Sequence, residues 1–145
     1  LGSDCKSEPN GKKKERAENK YVMILGIGTD IVETSRIAKS IEENRFKERI
    51  FSKAEIAYCE SKANKAERYA ARFATKEAFF KALGTGLRAG MAFNEVEIQN
   101  DELGKPSIHL LGETAKTVAP KNIVTIHVSL SHTTTISTAT VIIEG

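Results

Sequence analysis

The sequence predicts an α+β fold, a single compact domain in which an antiparallel-rich sheet packs on a long helix. Three observations predict it. An alternating segment, Met23 to Val32, heads the folded part. A helical middle follows, dominated by the Ala-rich run 65–83. From Val96 onward the apolar residues recur with the period of strands, punctuated by turn residues. The length of 145 residues suits one domain with one core.

Residues 1–22 stand apart. They carry six Lys/Arg and four acidic residues, a net +2, and show no apolar periodicity. Such a segment buries too little apolar surface to offset its ordering entropy. It is expected to be a flexible extension or a vector-derived remnant, with residues 23–145 as the domain and Met23 its natural start; a basic arm touching a partner is the alternative.

The elements then follow in order. In the first strand Met23, Leu25, Ile27 and Ile31 share one face, and Gly26, Gly28, Asp30 and Val32 the other. Two glycines on one face leave room for another backbone or a ligand. Residues 34–43 read as a helix with Ile37, Ala38 and Ile41 inward. Ser52 with Glu55 three residues later is a capping box that opens a second helix. The run 65–83 is the strongest helix, stopped by Gly84. Val96 and Ile98, then Ile108 and Leu110, flank the turn Gly104-Lys105-Pro106 and predict a hairpin. A short helix near 112–119 ends at Pro120. Alternation at Val124, Ile126, Val128 and Leu130, and again from Ile136 to Ile143, predicts two closing strands.

Composition narrows the function classes. No run approaches the ~18 apolar residues of a membrane span. A net charge of +3 is too small to argue for nucleic acid. Cys5 and Cys59 are isolated and match no metal-ligand spacing, so a reduced, cytoplasmic protein is expected.

Two carboxylates carry the chemical signal. Glu77 falls on the apolar seam of the long helix, in line with Tyr69, Phe73 and Phe80. A buried carboxylate costs several kcal/mol unless paired or metal-bound. Lys81 is one turn on, so a plain helix ion pair competes with a metal site. Asp30 ends the glycine-bearing strand, where it either caps the next helix or meets a ligand. Two carboxylates suit Mg²⁺, which takes few protein ligands and leaves room for phosphate and water. Arg72, Lys76 and Lys81 lie on the same helix and could meet phosphates. The loop Gly84-Thr85-Gly86 either stops the helix or lets backbone N–H groups approach a phosphate. His109 and His127 sit on strand faces, while His132 ends a strand where it could point into a cleft.

Three stretches together resemble the holo-acyl-carrier-protein synthase family of 4′-phosphopantetheinyl transferases. They are Gly26-Ile-Gly-Thr-Asp-Ile-Val-Glu33, Arg72-Phe-Ala-Thr-Lys-Glu-Ala-Phe-Phe-Lys-Ala-Leu-Gly-Thr-Gly86, and His127-Val-Ser-Leu-Ser-His132. Their order and spacing fit across residues 23–145; Thr75 stands where the family often has alanine. The resemblance implies the 4′-phosphopantetheinyl transferase fold, a homotrimer with sites between subunits, and transfer of phosphopantetheine from coenzyme A to a serine of acyl carrier protein for fatty acid synthesis. It implies that Asp30 and Glu77 bind Mg²⁺ and act in catalysis, with Glu77 the candidate base. Arg72, Lys76, Lys81, Gly84, Gly86 and His132 are expected to bind coenzyme A. Arg36 and Lys39, i and i+3 on one helix, are expected to meet the acidic carrier protein, with Arg45, Lys47 and Arg49 nearby. A non-catalytic nucleotide-binding module and an oligomerisation domain are the alternatives.

Overall fold

The computed structural model describes residues 21–88 and 90–145. The proposed extension therefore lies outside the described residues except for Tyr21 and Val22, which are exposed. Cys5 lies outside them as well.

Strand β1 spans Ile24–Glu33 and leads into helix α1, Thr34–Ser40. Two further short helices follow, α2 at Asn44–Ile50 and α3 at Lys53–Glu60. Helix α4, Lys65–Leu83, is the long one. A 3₁₀ turn at Phe93–Glu95 precedes the hairpin of β2, Val96–Asn100, and β3, Pro106–Leu110. Helix α5, Gly112–Val118, runs into a 3₁₀ turn carrying Pro120, and β4, Thr125–His132, and β5, Ile136–Glu144, close the chain. All strand pairs are antiparallel: β1, β5 and β4 form one sheet in the order β1-β5-β4, and the β2–β3 hairpin forms a second. The expected α+β architecture and the long helix hold. Helix α2 was not anticipated; it has no side-chain cap, and only Phe46 and Ile50 mark an apolar face.

The two glycines of β1 decide how the long helix packs. A Cβ on Gly28 would lie 1.9 Å from the carbonyl oxygen of Ala78, and one on Gly26 equally close to that of Ala82. The α4 backbone therefore rests directly on the strand, with alanines at the contact. This approach turns β1 so that its apolar residues face out. Leu25, Ile27 and Ile31 are exposed, the last at 68%. The core lies on the helix side of the sheet, where Val32, Ala139, Val141 and Ile143 pack against Ala70, Ala74, Ala78 and Ala82. Phe51, Tyr69, Phe73 and Phe79 fill the space toward α1–α3. Cys59 is buried there, and burial pushes its thiol up to about 12, so it packs as a small apolar group.

The Ser52–Glu55 capping box forms as expected. Ser52 Oγ accepts from the Glu55 N–H at 3.2 Å and Glu55 Oε2 accepts from the Ser52 N–H at 2.8 Å. Glu55 does more than cap, as its remaining bonds below show.

Candidate active site

The packing of α4 on β1 brings Asp30 beside Glu77. Asp30 lies on the strand face turned toward α4, its side chain 16% exposed. Lys81 Nζ donates to Asp30 Oδ1 at 2.9 Å and to the Thr29 carbonyl at 3.0 Å. The alternative of a helix ion pair Glu77–Lys81 is thus not what forms: the ammonium is drawn across to the strand. Among the hydrogen bonds and ion pairs of the described residues, none involves Glu77. Burial first, and the Asp30 carboxylate second, push the Glu77 carboxyl above its usual range, against the pull of Lys81 and Arg36. The two carboxylates repel, and the nearest ammonium, Lys81, is bonded to Asp30, which leaves Glu77 without a hydrogen-bonded cation among the described residues. That donor set fits a divalent cation held by Asp30 and Glu77, with other oxygens completing its shell.

A cleft of about 310 Å³ opens at Glu77, lined also by Phe80, Lys81, Gly84, Gly86, Leu87 and Phe93. Larger openings lie elsewhere, such as one of about 420 Å³ between β3, α5 and β4; Glu77 and Lys81 single out the smaller one. Gly84 caps α4 in the left-handed conformation at φ 72°, and Gly86 repeats it at φ 63°. A Cβ at either position would meet nothing within 4 Å, so this side of the loop is open to a ligand.

Arg36 and Lys39 are exposed on α1, and the Arg36 guanidinium sits 5.9 Å from the Phe73 ring centroid. Arg36 is near enough to Glu77 to act on its titration, so this basic surface adjoins the carboxylate pair. Lys47 does not extend it, because its ammonium is tied to Glu60 at 3.1 Å. Arg45 and Arg49 remain exposed.

Three expected ligand contacts fall elsewhere in the protomer. Lys76 is fully buried, and its ammonium donates to Glu55 Oε2 at 2.8 Å, to the Phe93 carbonyl at 2.9 Å and to the Val96 carbonyl. All three protons are used, so Lys76 has none for a phosphate; the sequence expectation for it is corrected. Adjacent positions on a helix point about 100° apart, which is why Glu77 faces the cleft and Lys76 the core. Arg72 lies away from Glu77, its guanidinium 4.2 Å from the Tyr58 ring centroid and Nη2 donating to Asn100 at 2.8 Å. Its Nε is buried without a partner. His132 stands 3.3 Å from Glu67 in the first turn of α4. From there to Gly84 is 17 helical positions, about 25 Å, so one protomer does not bring His132 to the glycine loop.

Reading the sequence alone missed Phe93 and the second role of Glu55. The capping box located Glu55 at a helix start, but no local pattern reports a partner 21 residues away.

The model of the 4′-phosphopantetheinyl transferase superfamily matches residues 26–133. The holo-acyl-carrier-protein synthase of Koribacter versatilis is 47% identical over 124 residues, spanning 84% of this chain and 99% of that protein. The crystal structure of the synthase from Neisseria meningitidis superposes with a TM-score of 0.79 at 34% identity, over 85% of this chain and all of that one. The synthase from Bacillus anthracis, solved in complex with CoA (3′,5′-ADP), gives a TM-score of 0.71 at 35% identity, over 84% of this chain and 97% of that one.

Proposed function

The chain belongs to the 4′-phosphopantetheinyl transferase superfamily, and from that premise we propose how its residues carry out the reaction of a holo-acyl-carrier-protein synthase. The enzyme transfers 4′-phosphopantetheine from coenzyme A to a serine of apo acyl carrier protein and releases 3′,5′-ADP. The observation that carries the residue assignment is the Asp30–Glu77 pair, with Glu77 left without a hydrogen-bond partner among the described residues, beside the glycine loop.

The serine hydroxyl attacks the phosphorus next to the pantetheine arm. A serine O–P bond forms, the P–O bond to the nucleotide breaks, and the hydroxyl proton must leave. Glu77, which lines the cleft and has no hydrogen bond among the described residues, accepts it directly or through a water. Negative charge accumulates on the pyrophosphate oxygens and the leaving group. Asp30 and Glu77 would hold Mg²⁺ here, and the ion would supply Lewis-acid stabilisation of that charge. Lys81 is half exposed and can turn from Asp30 toward a phosphate. In the open loop the Gly84 N–H is given to the Lys81 carbonyl at 3.0 Å, so the N–H of Gly86 is the one proposed to meet the same anion.

His132 and Arg72 lie away from Glu77 in the protomer, so their roles call for a second copy. The exposed face of the sheet, with Leu25, Ile27, Ile31 and Ile136, supports a homotrimer whose clefts combine Glu77 of one subunit with the His132 strand of the next. Arg36 and Lys39 form the surface for the acidic carrier protein. No helix among the described residues is long and apolar enough to cross a membrane. The proposed setting is cytoplasmic fatty acid synthesis.

The test is mass spectrometry of apo carrier protein incubated with the enzyme, coenzyme A and Mg²⁺. The carrier is expected to gain the mass of phosphopantetheine. An unchanged carrier mass, with coenzyme A still bound by the protein, would favour the non-catalytic nucleotide-binding module instead.

A further inference from the structure

The buried ion pair of Lys76 and Glu55 is more extensive than a cap or a phosphate contact requires. Besides Lys76, Glu55 accepts from two backbone groups, the N–H of Ser52 at 2.8 Å and that of Ile98 at 3.0 Å. Lys76 in turn holds the carbonyls of Phe93 and Val96. One ammonium and one carboxylate thus join the N-terminus of α3, the middle of α4, the 3₁₀ turn and the start of β2. Both side chains are 0% exposed. Stability alone does not account for such a pair, because well-packed apolar residues in its place are often neutral or stabilising.

The group placed by the pair is Phe93. Its ring stacks on Phe73 at 6.3 Å, nearly parallel at 7°, and meets Phe80 edge-on at 5.0 Å. Phe73 and Phe80 are four residues before and three after Glu77 on α4, so they flank the carboxylate along the helix. Phe93 also forms a wall of the cleft that holds Glu77 and Lys81. The cleft floor is carried by α4, while this wall arrives from a separate segment after the glycine loop. Lys76 is the next residue to Glu77 and grips the carbonyl of Phe93 itself. A displacement of that segment would change the width of the cleft without moving either carboxylate.

We propose that the Lys76–Glu55 pair is a positioning device that fixes the Phe93 wall at the cleft beside Glu77, and so sets the fit of the uncharged arm of coenzyme A. The inference rests on the reading of this cleft as the coenzyme A site. An apolar wall at a fixed distance suits an arm that carries few charges, whereas the pyrophosphate is left to Lys81 and the glycine loop. Lys76 acts through Phe93 and touches no substrate.

The test uses the double variant Glu55→Gln/Lys76→Met, which removes both charges at nearly constant volume. Gln still serves the capping box, and no carboxylate is left buried alone. Hydrogen exchange of the amides at 93–98 is expected to rise about tenfold or more, with β4 and β5 unchanged. The KM for coenzyme A is expected to rise about tenfold, with the KM for carrier protein unaltered. Phe93→Leu, which keeps the ion pair, is expected to raise the KM for coenzyme A without changing exchange. The proposal is overturned if the double variant keeps wild-type exchange at 93–98, or loses protection uniformly while retaining its KM for coenzyme A. Should the double variant fail to fold, an unaltered KM for coenzyme A in Phe93→Leu overturns it. If the wild type transfers no phosphopantetheine, the functional reading fails; the exchange measurement still decides whether the pair holds the wall.

Discussion

Glu77 and Lys76 occupy adjacent positions in one motif and have opposite fates. Glu77 reaches the cleft with no hydrogen bond or ion pair among the described residues, and Lys76 is enclosed with all its protons bound. The roles proposed for Asp30 and Glu77 make a direct prediction. Asp30→Ala and Glu77→Ala should each lower kcat/KM by about 10²-fold or more, about 2.7 kcal/mol of transition-state stabilisation. Circular dichroism should show the fold retained. Turnover within twofold of wild type at limiting Mg²⁺ would remove that residue from the metal site. The basic surface makes a second prediction. Lys39→Glu should raise the KM for carrier protein about tenfold at low salt and leave the KM for coenzyme A nearly unchanged. The effect should shrink at high salt. Lys39 is a cleaner probe than Arg36, whose charge also acts on Glu77. A carrier KM indifferent to both substitution and salt would place the docking surface elsewhere.

Among the elements, α2, α3 and α4 meet in a polar cluster as well as in the core. Glu60 at the end of α3 ties them: it pairs with Lys47 of α2 at 3.1 Å and Lys65 of α4 at 3.2 Å, and accepts from the Tyr69 hydroxyl at 3.0 Å. Hydrogen bonds from Lys47, then Tyr69, then Lys65 hold its carboxyl at about 2 against an ordinary 4.5. A carboxyl lowered on folding stabilises the folded state above its unfolded value and loses that contribution as pH falls through the folded one. The difference in Tm between wild type and Glu60→Gln should therefore be present at pH 6 and shrink between pH 4.5 and pH 2. A difference independent of pH across that window would show that the ionised carboxylate contributes nothing. Surface exposure of the cluster keeps the expected effect small.

For the whole molecule, the decisive feature is the side of the sheet that α4 does not cover. Ile27 is 60% exposed and faces away from the protomer core. A charge there costs an isolated protomer little, but it would be buried between copies in the proposed trimer. Ile27→Asp should thus melt near the wild-type temperature at the protomer level yet sediment as a smaller species. It should also lose transfer, since Glu77 and His132 would no longer share a cleft. A variant that sediments as wild type, or a monomer that is fully active, would refute an inter-subunit site.

Much of this was determined by the sequence itself. The helix at 65–83 and its glycine stop, the Ser52–Glu55 cap, the hairpin around Gly104 and the closing strands all arise from local rules, in which spacing and turn chemistry act over a few residues. The motifs at Gly26–Glu33 and Arg72–Gly86 identified the family for the same reason: each is contiguous. Tertiary structure alone decided which charges meet. Lys81 bonds Asp30, 51 residues away, rather than Glu77 one turn before it. Lys76 bonds Glu55 and two carbonyls beyond the glycine loop, so a residue that reads as a phosphate ligand becomes part of the core. Partner choice for a long side chain depends on desolvation and on which backbone groups the packed elements bring within 3 Å. Neither quantity is defined until β1, with its two glycines, has drawn the backbone of α4 down onto it.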